Sequence, residues 1–245
     1  MFGIKSSARK PNRDPAEKPF WISFSDLMTA LMVLFLVAMA VALMAVTQGL
    51  QRLEAEKKAR EESIGACLAG LRSLVAQPEF KGVVLNDSAI EFGALAEFDK
   101  RGHQLGGDRP AFLRRFVPRL LELTRGAACE RWLKRVVVEG FASAEGSYLF
   151  NLNLSLQRSQ RLLCVLLDSR AERALSQADR KYLRRLFLVG GSSFNALKRN
   201  AEESRRVELR LEFRELNEKR EAEQELPWDE DSTCPLDPVG RGSHG

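Results

Sequence analysis

One carboxylate sets the chemistry of this chain of 245 residues. Asp26 is the only ionisable residue between Phe20 and Val46, in the run FWISFSDLMTALMVLFLVAMAVALMAV. A helix rises 1.5 Å per residue, so a run of about 27 residues spans about 40 Å, enough to cross a bilayer with some tilt. A carboxylate in such a helix costs about 2.5–3.5 kcal/mol near mid-membrane and less near the interface, and it marks a functional site by default. The chemistry open to a carboxylate in low dielectric is to exchange a proton. No set of residues for covalent or acid–base catalysis accompanies it, and the chain reads as a non-enzyme. His103 and His244 are the only histidines, and neither stands near a nucleophile motif. No glycine loop leads into a basic residue and a helix as phosphate binding requires, and no Cys/His spacing suggests zinc. Neither a metal nor a cofactor is expected.

The flanks of the run say how it is held. Lys5, Arg9, Lys10, Arg13 and Lys18 precede it against Asp14 and Glu17, while Arg52, Lys57, Lys58 and Arg60 follow it among four glutamates. The Lys and Arg bias of five to four, with only a short tail to retain, places the N-terminus in the cytoplasm and the rest outside. Ala38-Met39-Ala40 and Ala40-Val41-Ala42 resemble signal-peptide cleavage sites, but the run exceeds an ordinary signal sequence and contains an aspartate. A retained helix is therefore expected. Asp26 shares a helical face with Ile22, Thr29, Ala30, Val33, Val37 and Ala40, a smaller face than that of Leu27, Met28, Leu31 and Leu34. Small residues allow helices to pack closely, so Asp26 is expected to face protein and not lipid.

The motif Trp21-Ile-Ser-Phe24-Ser25-Asp26-Leu27-Met28-Thr29-Ala30-Leu31 resembles the W-x-x-x-F-[AS]-D-L-M-x-x-L signature of flagellar stator MotB proteins. The resemblance implies two copies of the helix inside a pentamer of a MotA/ZorA-like membrane subunit. It implies that Asp26 carries the ion, with Ser25 and Thr29 as candidates to hydrogen-bond near it. It further implies that a segment after the membrane helix plugs the channel in the idle complex.

Residues 47–80 read as a helical linker or plug. Ile64, Cys67, Leu68, Leu71, Leu74 and Val75 recur at three- and four-residue spacings, so two copies could pair as a short coiled coil, and Pro78 ends the helix. From Lys81 the pattern changes. Short strands are expected at Val83–Leu85 and Ala89–Phe92 around the turn Asn86-Asp87-Ser88, and helices from Asp108 to Thr124, from Tyr148 to Asp168 and from Ser176 to Arg185. Longer strands are expected at Lys134–Phe141, Leu186–Val189 and Arg205–Phe213, the last alternating Val207, Leu209, Leu211 and Phe213 with Glu208, Arg210 and Glu212. The fold class is α+β: a single N-terminal transmembrane helix plus an α/β sandwich with helices on one sheet face.

Within that domain, Val138-Glu139-Gly140-Phe141-Ala142-Ser143-Ala144-Glu145-Gly146-Ser147 with Asn151-x-x-Leu154-Ser155-x-x-Arg158-Ser159 resembles the OmpA C-terminal pattern V-x-G-H-T-D-x-x-G-S with N-x-x-L-S-x-x-R-A. Ser204-Arg205-Arg206-Val207-Glu208 matches its closing N-R-R-V-E. The resemblance implies an OmpA-like peptidoglycan-binding domain over residues 81–215, with Asn151, Leu154 and Arg158 at the groove, since a guanidinium can hold a carboxylate bidentately. The family aspartate falls on Ser143 and the family histidine on Phe141, and Glu145 is the candidate to replace the lost charge.

The chain then divides into a cytoplasmic basic tail (1–19), a transmembrane helix (20–46), the linker or plug (47–80), the OmpA-like domain (81–215) and a flexible C-terminal tail (216–245). The four cysteines, Cys67, Cys129, Cys164 and Cys234, all follow the membrane run, and either buried thiols or any of three full pairings is open. A net charge of +5, with basic residues spread among acidic ones, argues against nucleic acid as a partner. The expected partners are a second copy of the chain, the pentameric subunit and peptidoglycan. Within the stator family the helix and the G-[FY]-A-S-x-E-G variant at Gly140–Gly146 resemble the Zorya anti-phage defence branch. The alternatives are a flagellar stator driving motility and a passive OmpA- or Pal-like wall anchor without ion flow.

Overall fold

Between Phe20 and Val75 the sequence has no proline, and the backbone follows accordingly. Residues Glu17–Val75 form one helix, α1. The computed structural model describes residues 17–218 and 233–237. The expected basic tail at 1–19 falls almost wholly outside these residues, as does most of the tail expected at 216–245. The chain makes two compact units, Met1–Glu56 and Lys57–Gly245. In the first unit the apolar side chains from Trp21 to Val46 are exposed along the whole helix. A helix apolar on all sides and unburied suits a membrane interior, and among the described residues this is the one helix long and apolar enough to cross a bilayer. It continues unbroken through the two cleavage-like tripeptides.

The second unit is a five-stranded sheet with helices. Its elements are β1 (Val84–Asn86), β2 (Ala89–Glu91), α2 (Arg109–Thr124), α3 (Ala127–Glu130), β3 (Leu133–Gly140), α4 (Tyr148–Leu167), α5 (Gln177–Leu186), β4 (Phe187–Gly191), α6 (Ala201–Ser204) and β5 (Val207–Phe213). Strand order is β1-β2-β5-β3-β4. Only β3 and β4 run parallel, joined through α4 and α5, and the remaining pairs are antiparallel. Ser147 and Ser176 cap α4 and α5 by accepting from the N–H of Phe150 and Asp179. Helix α2 continues through Pro118. Each expected strand and helix of this domain forms within two residues of its expected bounds.

Two glycines fix how α4 lies on the sheet. A Cβ on Gly140 would stand 2.0 Å from the Ser155 carbonyl oxygen, and one on Gly191 would stand 2.6 Å from Ser155 Oγ. Only glycine lets the ends of β3 and β4 approach the helix backbone this closely. The other side of the core holds Phe80, Phe92, Phe112 and Phe116, whose rings meet mostly edge to face at centroid distances of 5.1 to 6.3 Å.

Two expectations need correction. The alternation in β5 does not make Glu208 a solvent-facing residue: it is 4% exposed, with Oε1 2.7 Å from Arg206 Nε. The sandwich also begins well before Lys81. Cys67, Leu71 and Leu74 of α1 are buried, and Leu71 and Leu74 belong to the same core as Phe80, Ile90 and Leu120. Cys67 is disulfide-bonded to Cys129, Ser63 Oγ donates to the Ala128 carbonyl at 2.8 Å, and Arg60 Nε donates to the Arg214 carbonyl at 2.8 Å. The apolar positions assigned to a spacer or a two-copy seam are therefore consumed by the chain's own domain.

This packing makes a specific demand. Leu71 is 0% exposed, so Leu71→Ala is expected to lower the unfolding free energy by about 2–5 kcal/mol. Denaturant unfolding followed by circular dichroism measures it. Unchanged stability with altered self-association would instead put Leu71 between two copies.

Candidate functional site

Asp26 sits in the third turn of α1, exposed, and forms no ion pair among the described residues. Ser25 precedes it on the helix. Thr29 does hydrogen-bond at this level, but its hydroxyl donates to the Asp26 main-chain carbonyl at 2.9 Å and not to the carboxylate. Met28, Leu31, Met32, Phe35, Leu36 and Met39 line a shallow apolar groove. Helical geometry places them on the side away from Asp26, so the carboxylate lies on the slimmer face of the helix. A bare carboxylate on that face can exchange a cation, and it is the one carboxylate in the apolar run Phe20–Val46.

The second group of expected residues assembles in the domain, where the end of β3, the start of α4 and the loop Asp99–Gly102 meet. Arg158 holds them together. It is 0% exposed. Its Nη1 donates to the Phe141 carbonyl at 2.7 Å, its Nε to Gly102 at 2.9 Å and its Nη2 to Asp99 at 3.2 Å. Its guanidinium also lies 5.3 Å from the Phe98 ring centroid. Burial, with the nearby Arg205 charge, pushes its pKa down to about 10, so it stays cationic at neutral pH. Asn151 is equally inward: its Nδ2 donates to the carbonyls of Glu145 at 3.0 Å and Ser147 at 3.2 Å. Leu154 and Ser143 are both buried. Glu145 is exposed, paired with Lys100 at 2.8 Å. That hydrogen bond, with the Lys100 charge, holds the Glu145 carboxyl below its usual range.

The expected residues are thus brought together, but as two classes. Ser143, Asn151, Leu154 and Arg158 shape the loops from beneath, while Glu145 lies at the surface. Sequence reasoning missed the groups that complete the surround. Lys100 is one. Arg205 is another: its Nε donates to the Phe98 carbonyl at 3.1 Å and its Nη2 lies 3.5 Å from Glu97. Arg206 is a third, with its guanidinium 4.1 Å from the Phe141 ring centroid. The Arg205-Arg206 pair was visible as part of a motif, but no spacing in the sequence places Arg205 on the Phe98 carbonyl or Arg206 over the Phe141 ring. The groups gathered here are donors and charges suited to recognition. Among the described residues no cluster of three or more His, Cys, Asp or Glu has the makings of a metal site.

Comparison with known proteins adds three findings. Residues 5–51 match the family model described as membrane MotB of the proton-channel complex MotA/MotB. The chain is 44% identical over 232 residues to the Zorya protein ZorB of Escherichia coli O139:H28 (strain E24377A / ETEC), covering 93% of this chain and 94% of that protein. Among solved structures, it is similar to the periplasmic domain of Helicobacter pylori MotB, at 13% identity over 56% of this chain and 84% of that one, with a TM-score of 0.40. It is also similar to the peptidoglycan-associated lipoprotein of Burkholderia pseudomallei, at 11% identity over 58% of this chain and 99% of that one, with a TM-score of 0.33.

Two outcomes follow from the site. Arg158→Met is expected to destabilise the domain by about 2–5 kcal/mol, because one buried and two partly buried carbonyls lose their donor, at about 1–3 kcal/mol for a buried one and less for the others; thermal unfolding measures it. His103 gives a pH dependence. Burial, and next the Arg161 charge, hold its imidazole below the ordinary value, so the unfolded chain takes up this proton first. Its contribution to stability is complete above about pH 6.5 and is lost as pH falls below that. Wild type should lose more stability than His103→Gln between about pH 7.5 and pH 5.5; equal losses would remove His103 as the cause.

Proposed function

The chain belongs to the family of Zorya protein ZorB, and from that premise we propose that it is the wall-anchored subunit of an ion-driven inner-membrane motor acting in anti-phage defence. The observation that carries this reading is Asp26, the one carboxylate in the exposed apolar part of α1, inside the segment matched by the MotB family model. Each charge that crosses about 100 mV releases about 2.3 kcal/mol, so a carboxylate that loads on one side and unloads on the other is an energy source. One carboxylate per chain has no channel of its own. A second copy of this helix and a MotA/ZorA-like pentameric subunit complete the path, and the ion is a proton.

The two disulfides support the orientation. Cys67–Cys129 and Cys164–Cys234 tie together residues that all follow the membrane helix. Disulfides persist in oxidising compartments, so the second unit belongs in the periplasm and the N-terminus in the cytoplasm. There the domain holds peptidoglycan through the loop after β3. Glu145 meets the ligand directly, while Ser143, Asn151, Leu154 and Arg158 set the shape of the groove and Arg158 its positive potential.

In proteoliposomes holding the chain with its pentameric partner, Asp26→Asn is expected to assemble normally and to abolish proton flux. Wild-type flux in that variant would refute the carrier role. Ser25→Ala and Thr29→Ala should lower flux without abolishing it. Glu145→Gln should weaken co-sedimentation of the full-length protein with purified sacculi.

A further inference from the structure

A second buried arginine lies one helical turn beyond Arg158. Arg161 is 6% exposed. Among the described residues its ion-pair partner is Asp237, whose Oδ1 lies 2.8 Å from Nη1. Among the described residues no acceptor meets Nε or Nη2. Those two donors form the side edge of the guanidinium, the edge that pairs bidentately with a carboxylate. Arg161 is therefore held end-on by one oxygen while its stronger carboxylate-binding edge stays unmet. A buried charged donor left in that state is costly.

The occupant is not part of the sandwich. Asp237 lies three residues after Cys234, which is disulfide-bonded to Cys164 on α4. The same segment reaches the loop beside Arg158, where the main chain of Leu236 and the Asp237 charge lie close enough to His103 to act on its imidazole. Gly102, which precedes His103, accepts from Arg158. Thus Thr233–Asp237 forms a strap across α4 and the Asp99–Gly102 loop. The Asp237 side chain remains 54% exposed while its partner is buried, so it can be exchanged from solvent. This overturns the expectation of a wholly flexible tail at 216–245.

We propose that Arg161 is a carboxylate-binding site whose resident occupant is the chain's own Asp237, and that a carboxylate of the cell-wall peptide binds side-on by displacing the strap. The identity of the ligand rests on the wall-anchoring function above; the strap and the site do not. The disulfide keeps the displaced strap nearby, so Asp237 competes at high effective concentration and sets the threshold for capture.

Two readouts on the full-length protein separate these parts. Phenylglyoxal labelling, mapped by mass spectrometry, reports access to Arg161 without any wall ligand. Arg161 should be protected in wild type and labelled several-fold faster in Asp237→Asn and in Cys164→Ser/Cys234→Ser, with Asp237→Glu restoring protection. Equal labelling in all four overturns the strap. Co-sedimentation with purified sacculi should be several-fold stronger in the first two variants, and that gain should vanish when Arg161→Lys is added. Faster labelling with unchanged sacculi binding overturns the displacement while leaving wall anchoring intact. Failure of every form, wild type included, to bind sacculi overturns wall anchoring, and the displacement with it.

Discussion

A guanidinium taken wholly out of water must meet acceptors along its donors, and that requirement organises the domain around Arg158. Its three carbonyl partners come from two segments far apart in sequence, Asp99 and Gly102 in one and Phe141 in the other. Each segment has backbone hydrogen bonds of its own, Phe141 N–H to the Arg206 carbonyl at 2.9 Å and Gly102 N–H to the Asp99 carbonyl at 3.0 Å. The charge ties the two segments to each other. It also explains the neighbouring glycine: for α4 to carry Arg158 under these loops, its backbone must lie against the end of β3, and Gly140 is the residue that permits it. A buried charge is a weak source of net stability but a strong source of uniqueness where every donor is met. The surface that Glu145 presents above the buried Ser143 is fixed by this constraint.

Where local pattern decides structure, the sequence was sufficient. Val136 and Val138 mark β3, Val207, Leu209 and Leu211 mark β5, and Ser147 and Ser176 mark helix starts. The pattern failed where burial alone had to be assigned an owner. Leu68, Leu71, Leu74 and Val75 form an apolar stripe, and a stripe is equally satisfied by a second copy or by the chain's own core. Only the tertiary fold, through Cys67–Cys129 and the contact of Gly70 with Leu123, chooses the second. Glu208 failed for a related reason. Period-two alternation predicts which face a side chain takes, not whether that face is covered, and here Arg206 covers it.

The expected recognition residues show the same division. Asn151, Leu154 and Arg158 were legible as a spaced set on one helix face, because a helix converts spacing into adjacency. Their orientation was not legible. A motif records that an arginine is needed, and both a ligand carboxylate and a trio of carbonyls need one. Cysteine pairing was likewise closed to sequence, since Cys67–Cys129 and Cys164–Cys234 span 62 and 70 residues and depend on the packing of α1 and of the C-terminal segment.

The two units place opposite demands on charge. In the domain, Arg158, Arg206 and Glu208 are buried with partners and hold their positions. Asp26 is the reverse, a carboxylate with no ion-pair partner among the described residues. A permanently paired carboxylate would be useless as a carrier, because each cycle would first have to break the pair at a cost of several kcal/mol, more than the 2.3 kcal/mol that about 100 mV supplies per charge. In the proposed motor, an Asp26 unpaired among the described residues keeps that cost off the cycle. On that proposal the groups that bind and release the ion come from another subunit, at moments set by that subunit's movement. In the proposed motor, the absence of a local partner for Asp26 is what allows ion flow to be coupled to rotation.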